Sequence, residues 1–151
     1  MSDNATSILN DLAETSKDGE KGFLTSAEDT KNPELKAIFL ARAKECATAA
    51  AQLQQLVAGL GGDPETGGSL AGALHRGWVT VKAAVAERTD LAILEECERG
   101  EDVAKAHYRN ALEKTLPENL RAVVQRQYEG AVRNHDQIRD LRDRYRANKT
   151  S

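Results

Sequence analysis

Residues 61–69 read GGDPETGGS, the one clear loop in a chain of 151 residues. Four glycines, a proline and an aspartate close one helical pattern and precede another, because glycine adopts the left-handed cap conformation and proline cannot continue a helix. Upstream, Leu35, Phe39, Ala43, Cys46, Ala50, Leu53, Val57 and Leu60 recur at three- and four-residue steps, the period of a helix with one apolar face. Downstream, SLAGALHRGWVTVKAAVAE at 69–87 predicts a shorter helix with Leu70, Leu74, Trp78, Val81 and Val85 on one side.

Working outward, the first helix, A, is expected from near Asp3 to Thr30, with Ile8, Leu12, Thr15, Gly19, Phe23 and Ala27 on its stripe. Gly19 and Gly22 cost helix propensity there, which predicts a neighbouring backbone or side chain approaching closely. KNPEL at 31–35 places Asn32 as the N-cap and Pro33 at the first helical position of helix B. Thr89 caps helix C, which runs to about Thr115, and Leu116-Pro117 turns into helix D, whose stripe is Leu120, Val124, Gln127, Ala131, Ile138, Leu141 and Tyr145.

The A–B and C–D links are tight, so each pair forms an antiparallel hairpin. The B–C link, from Gly61 to Thr89, is long enough to travel back along the bundle and start C at the end where B started. The expected fold is therefore all-α: a ferritin-like four-helix bundle, two antiparallel hairpins joined by a long crossover containing a short fifth helix. An up-down-up-down bundle needs no such excursion and ranks second. Length predicts a single domain over 1–151.

Composition narrows the function classes. Lys and Arg total 21 against 24 acids, a net charge of −3, so the chain lacks the basic excess that a phosphate backbone demands and nucleic acid is not an expected partner. The opening MSDNATSILNDLAE has no basic region leading into an apolar run, and no stretch has the apolar length that spans a bilayer. No membrane contact and a cytoplasmic location are the expectations. Cys46 and Cys97 lie in helical patterns without CxxC spacing, which argues against a zinc knot or disulfide and for buried free thiols.

LHRGW at 74–78, CERGED at 97–102 and HDQIRDLRD at 135–143, together with the GGDPETG loop, resemble the signature segments of a bacterial ferritin-like four-helix-bundle family classed as a domain of unknown function. The resemblance implies that fold and a loose association with bacterial stress proteins. It implies no established reaction.

Chemistry is sought first in EECERGED at 95–102. A standard ferritin-like di-iron centre uses one Glu from each of two helices and a Glu-x-x-His pair from each of the other two. Gly72, Ala104 and Val132 stand three residues before His75, His107 and His135, so no such pair exists. An atypical site is the alternative. Glu98 lies about 60° from Glu101 and about 40° from Asp102 around a helix axis, so the three share a face. Residues equidistant from a C–D turn centred between Leu116 and Pro117 lie opposite one another, which pairs Glu98 with His135. The same reasoning about the A–B turn pairs Asp18 with Glu45. Glu98, Glu101, His135 and Asp18 are thus the candidate metal ligands, within a mid-bundle polar layer that also takes in Glu45, Asp102, Gln127 and Tyr128.

Simpler readings stand beside these. Glu45, Glu95, Glu96 and Asp102 are expected to be solvated or paired with arginines one turn away, such as Arg99. Glu101, if buried, needs a partner such as Tyr128, Arg76 or a backbone group. Trp78 is expected to anchor the crossover helix, with His75 and Arg76 at its rim. His107 falls away from the cluster. No catalytic motif and no phosphate loop is present.

The first functional expectation is a non-enzymatic, stress-associated interaction protein, a homo-oligomer with a further protein partner. The alternative is a ferritin-like metalloprotein holding iron or another divalent metal in an atypical carboxylate and histidine site, with no metal the more favoured state. A small-molecule binder using space near Gly19 and Gly22 is a third reading.

Overall fold

The computed structural model describes residues 2–64 and 89–150. These form α1 (Ser2–Asp29), α2 (Pro33–Gly59), α3 (Asp90–Glu113) and α4 (Glu118–Thr150). Local chemistry sets the boundaries. Asn32 Oδ1 accepts from the backbone N–H of Glu34 at 2.8 Å and of Leu35 at 3.4 Å, and Pro33 fills a first-turn position where no N–H is needed. Thr89 Oγ1 accepts from Ala92 N at 3.1 Å and starts α3. At the end of α2, Gly61 N donates to Ala58 O and Gly62 N to Val57 O, each at 3.0 Å. Gly61 sits at φ 81°, the left-handed region that suits glycine at this closure.

Side-chain registers give the topology. Ser16 meets Tyr108 and Ser26 meets Cys97, so α1 and α3 are antiparallel. Tyr108 meets Gln127 and Glu95 meets Arg146, so α3 and α4 are antiparallel as well. Asn10 Nδ2 donates to Asp63 O at 3.0 Å, and a Cβ on Gly19 would lie 2.9 Å from Cys46 Sγ, which makes α1 and α2 the other antiparallel pair. It follows that α2 and α3 run parallel. The chain leaves α2 beside Asn10 and enters α3 beside Thr30, whose Oγ1 donates to Asp90 Oδ1 at 2.6 Å. Those two ends are about 30 Å apart along α1. This is the expected crossover connectivity, and it excludes the up-down-up-down alternative.

One part of the expected architecture is corrected. Among the described residues there are four helices and no fifth, so the expected definition with a fifth helix is corrected to a four-helix bundle. The segment expected to form that helix, 69–87, lies outside the described residues, as does the expected docking of Trp78 with His75 and Arg76. The amphipathic pattern there reports one apolar face, and periodicity alone does not say what that face becomes once the chain is folded.

The core is divided. At one end Leu9, Leu12, Leu53, Val57, Leu120 and Val124 cluster, and at the other Phe23, Leu35, Phe39, Ile93, Leu94 and Ile138 do. Phe23 and Phe39 stand with ring centroids 6.1 Å apart. Between the clusters the inward positions turn small or polar: Ser16 and Gly19 on α1, Cys46 on α2, Gly100 and Glu101 on α3, Gln127 and Ala131 on α4. These residues cannot fill the space that leucines fill above and below, and a cavity of about 400 Å³ results. Gln127 bridges its open side, donating from Nε2 to Gln52 Oε1 at 2.9 Å and to Ala49 O at 3.3 Å.

Candidate metal centre

On α3, Glu98 and Asp102 stand one turn apart and project to the same side, and α4 presents His135 to both. One donor atom from each of the three lies within 4.8 Å of the others. His135 Nε2 is 2.7 Å from Asp102 Oδ1 and 3.8 Å from Glu98 Oε2, and its Nδ1 is 3.2 Å from Asp136 Oδ1. The other oxygen of Glu98 pairs with Arg142. Arg142 is also held by Asp143 at 2.8 Å, the chief cause that raises its guanidinium above the ordinary value. The imidazole is buried while the Asp102 side chain is 59% exposed, so the cluster opens to solvent on one side.

This geometry constrains the chemistry. A neutral imidazole donates from one nitrogen and offers a lone pair at the other. Here both nitrogens face carboxylate oxygens, an arrangement that a divalent metal ion held between Nε2 and the carboxylates of Asp102 and Glu98 would complete. The contact from Nδ1 to Asp136 is the arrangement by which an outer carboxylate fixes the tautomer and orientation of a ligating histidine. One imidazole and two carboxylates form a donor set suited to zinc, manganese or ferrous iron. The exposed side leaves room for water to complete the coordination.

Of the four residues expected as ligands, the structure brings Glu98 and His135 together, as the turn-centred register predicts. Asp18 and Glu101 stand apart from that cluster. Asp18 is buried on α1, at 1% exposure. Glu101 turns into the mid-bundle cavity, and among the described residues its Oε1 has no hydrogen-bond partner; of the partners expected for it, Arg76 lies outside the described residues. Burial pushes the Glu101 carboxyl from 4.5 up to about 8, with Arg42 opposing and Glu45 and Asp102 reinforcing the shift. Burial, and next the nearness of Glu101, pushes the Cys46 thiol up to about 12.

Asp102, set among the surface charges by sequence reasoning, is exposed as expected and yet makes the shortest contact to His135. Its position four residues after Glu98 was the available signal. Glu95 and Glu45 pair with arginines, but Glu95 reaches Arg146 on α4 instead of Arg99, and Glu45 takes Arg42 on its own helix. Glu96 was expected at the surface and is buried at 9% exposure, a correction that follows from the rotation of α3 toward its neighbours. His107 keeps clear of the cluster and lies 2.8 Å from Thr15 Oγ1. Both cysteines are free thiols, Cys97 buried and Cys46 half-buried. Among the described residues, no helix is long and apolar enough to cross a membrane.

Comparison with known proteins places this geometry in context. A dodecameric thioferritin, the bacterioferritin-related protein of Bacteroides fragilis, superposes with a TM-score of 0.81 at 13% identity, covering 99% of this chain and 91% of its own. A mutant of Dps1 from Mycobacterium smegmatis gives 0.78 at 12% identity over 93% and 95% of the two chains. The Dps protein of Vibrio cholerae O1, described as a member of a broad superfamily of ferritin-like diiron-carboxylate proteins, gives 0.72 at 17% identity over 93% and 89%. At these identities the likeness establishes the fold alone, which is ferritin-like. No curated protein sequence matches the chain. A family profile matches residues 4–114, covering nearly all of α1 and the whole of α2 and α3. The chain therefore belongs to the family described as domain of unknown function DUF2383.

Proposed function

We propose that this protein is a ferritin-like metal-binding bundle that holds one divalent ion between α3 and α4 on Glu98, Asp102 and His135. The observation that carries the reading is the imidazole of His135 with a carboxylate oxygen at each ring nitrogen. The donor set comes from a single hairpin and contains one histidine, which suits one ion and not the pair that a four-helix di-iron centre takes. An ion with three protein ligands and an open side offers positions for water or another small ligand. The diiron-carboxylate description of the Vibrio cholerae relative favours metal chemistry on this fold over a purely protein-contact role.

Elemental analysis of protein purified without chelator, followed by loading of the stripped protein with ferrous iron, manganese or zinc, tests this. Stoichiometric metal is expected, abolished by His135→Ala and by Asp102→Asn, weakened by Glu98→Gln and retained in Glu101→Gln. Absence of metal after loading, or full retention in His135→Ala, would sink the reading. Self-association is expected too, given a dodecameric relative and the exposed Leu24 and Leu40, and light scattering on a sizing column reads it directly.

A further inference from the structure

The mid-bundle cavity is separate from the metal cluster in its lining. None of Glu98, Asp102 and His135 borders it. Its volume of about 400 Å³ falls within the usual range for small-molecule sites. The inner wall is carbon-rich and close to the backbone, with Gly19, Phe23, Gly100 and Ala104 contributing. Among the described residues lining it, one buried polar group lacks a partner: Glu101, at 6% exposure, with Oε1 unbonded. Leaving a buried acceptor or donor unpaired is costly. At the rim stand Lys44, Arg126 and Arg133, all exposed and, among the described residues, with no ion pair to any acid.

These features select a ligand class. A metal ion is disfavoured in this cavity because Glu101 is the one carboxyl buried inside it, while Glu45 stands exposed at the rim and is paired with Arg42, and burial pushes the Cys46 thiol up to about 12. An organic cation meets Lys44, Arg126 and Arg133 on its way in, against one rim carboxylate, Glu45, that is already paired with Arg42. An organic anion meets them favourably, places its apolar body along the glycine and alanine wall, and needs a polar atom at its inner end to pair with Glu101.

We propose that the mid-bundle cavity binds a small amphipathic organic acid, its anionic head at Lys44, Arg126 and Arg133 and a hydroxyl or carbonyl oxygen at its far end hydrogen-bonded to Glu101. Glu101 acts as a hydrogen-bonding anchor, and the rim cations set the direction of entry. This site is independent of the metal reading.

Isothermal titration of the full chain in chelator, with ω-hydroxydecanoate, decanoate and decane-diol as probes, tests it. The hydroxy acid is expected to bind about tenfold more tightly than decanoate, the difference one hydrogen bond to a buried group provides. Glu101→Leu should erase or reverse that preference, because the orphaned polar atom is gone. The double substitution Arg126→Ala with Arg133→Ala should weaken both acids while leaving the diol unaffected. Ala104→Phe, which fills the cavity from α3, should block all three, with circular dichroism confirming that each variant is folded. Failure of all three probes to bind the wild-type chain would overturn the proposal. So would an unchanged preference in Glu101→Leu, or acid binding that appears only when metal is added, which would assign the acid to the ion on α3 and α4.

Discussion

Glutamine at position 101 keeps the shape and the hydrogen-bonding capacity of a protonated carboxyl and cannot ionise. In the folded protein burial holds the Glu101 proton up to about pH 8, whereas the unfolded chain releases it near 4.5. Below 4.5 both states carry the proton and the group does not oppose folding. Between the two values unfolding releases a proton, so stability falls as pH rises, and above about 8 the penalty is complete. At about 1.4 kcal/mol per pH unit the interval corresponds to a ceiling of roughly 5 kcal/mol. The side chain is 6% exposed, so solvent screening is weak, but Arg42 and water entering the cavity reduce the effect. The expected gain for Glu101→Gln is therefore roughly 2 to 3 kcal/mol at about pH 8 and near zero at about pH 5. Urea denaturation of both proteins in chelator across that range reads it as a gap in midpoint that widens with pH. A gap that stays constant with pH would refute the reasoning, because it would mean that Glu101 is already ionised in the folded bundle.

Other substitutions probe the remaining parts. A Cβ on Gly19 would stand 2.9 Å from Cys46 Sγ, so Gly19→Ala should lower stability by about 1 kcal/mol despite its better helix propensity. Combining it with Cys46→Ala should recover the loss in the same urea assay, and failure to recover would show that the close approach is not the cause. Asn32→Ala removes the cap of α2 and a 2.7 Å hydrogen bond from Asn32 Nδ2 to the Tyr145 hydroxyl. A loss of about 1 to 2 kcal/mol is expected by thermal or urea melting. Arg142→Ala frees an oxygen of Glu98 and removes a positive charge beside the metal cluster. Metal affinity measured by competition with a chelating dye should rise about tenfold, and a fall would show that Arg142 chiefly orients Glu98.

The places where sequence reasoning succeeded share a cause. The caps at Asn32 and Thr89, the left-handed Gly61 and the apolar stripes of the four described helices depend on residues a few positions apart, and the structure shows them. The pairing of Glu98 with His135 is nearly as local, since it needs only a hairpin whose turn is marked by Leu116 and Pro117. The crossover was legible because the Gly61 to Thr89 connection is far longer than a neighbouring antiparallel helix requires. The expected polar layer was only half right. Asp18, Glu101 and His135 are all buried, yet the structure separates the cavity carboxyl from the cluster of Glu98, Asp102 and His135.

EECERGED shows where the division falls. The helical period determined by itself that Glu98, Glu101 and Asp102 share a face, and the turn position determined which residue on the next helix lies at their height. Only the tertiary structure decided that Glu101 turns inward to a cavity, that Glu98 and Asp102 flank His135, and that Glu96 is buried. Residues at the edge of an apolar stripe point to the core or to a neighbouring helix according to how far the helix is rotated about its axis. That rotation is set by the fit of side chains from three other helices, among them the glycines and alanines that leave the middle of the bundle open.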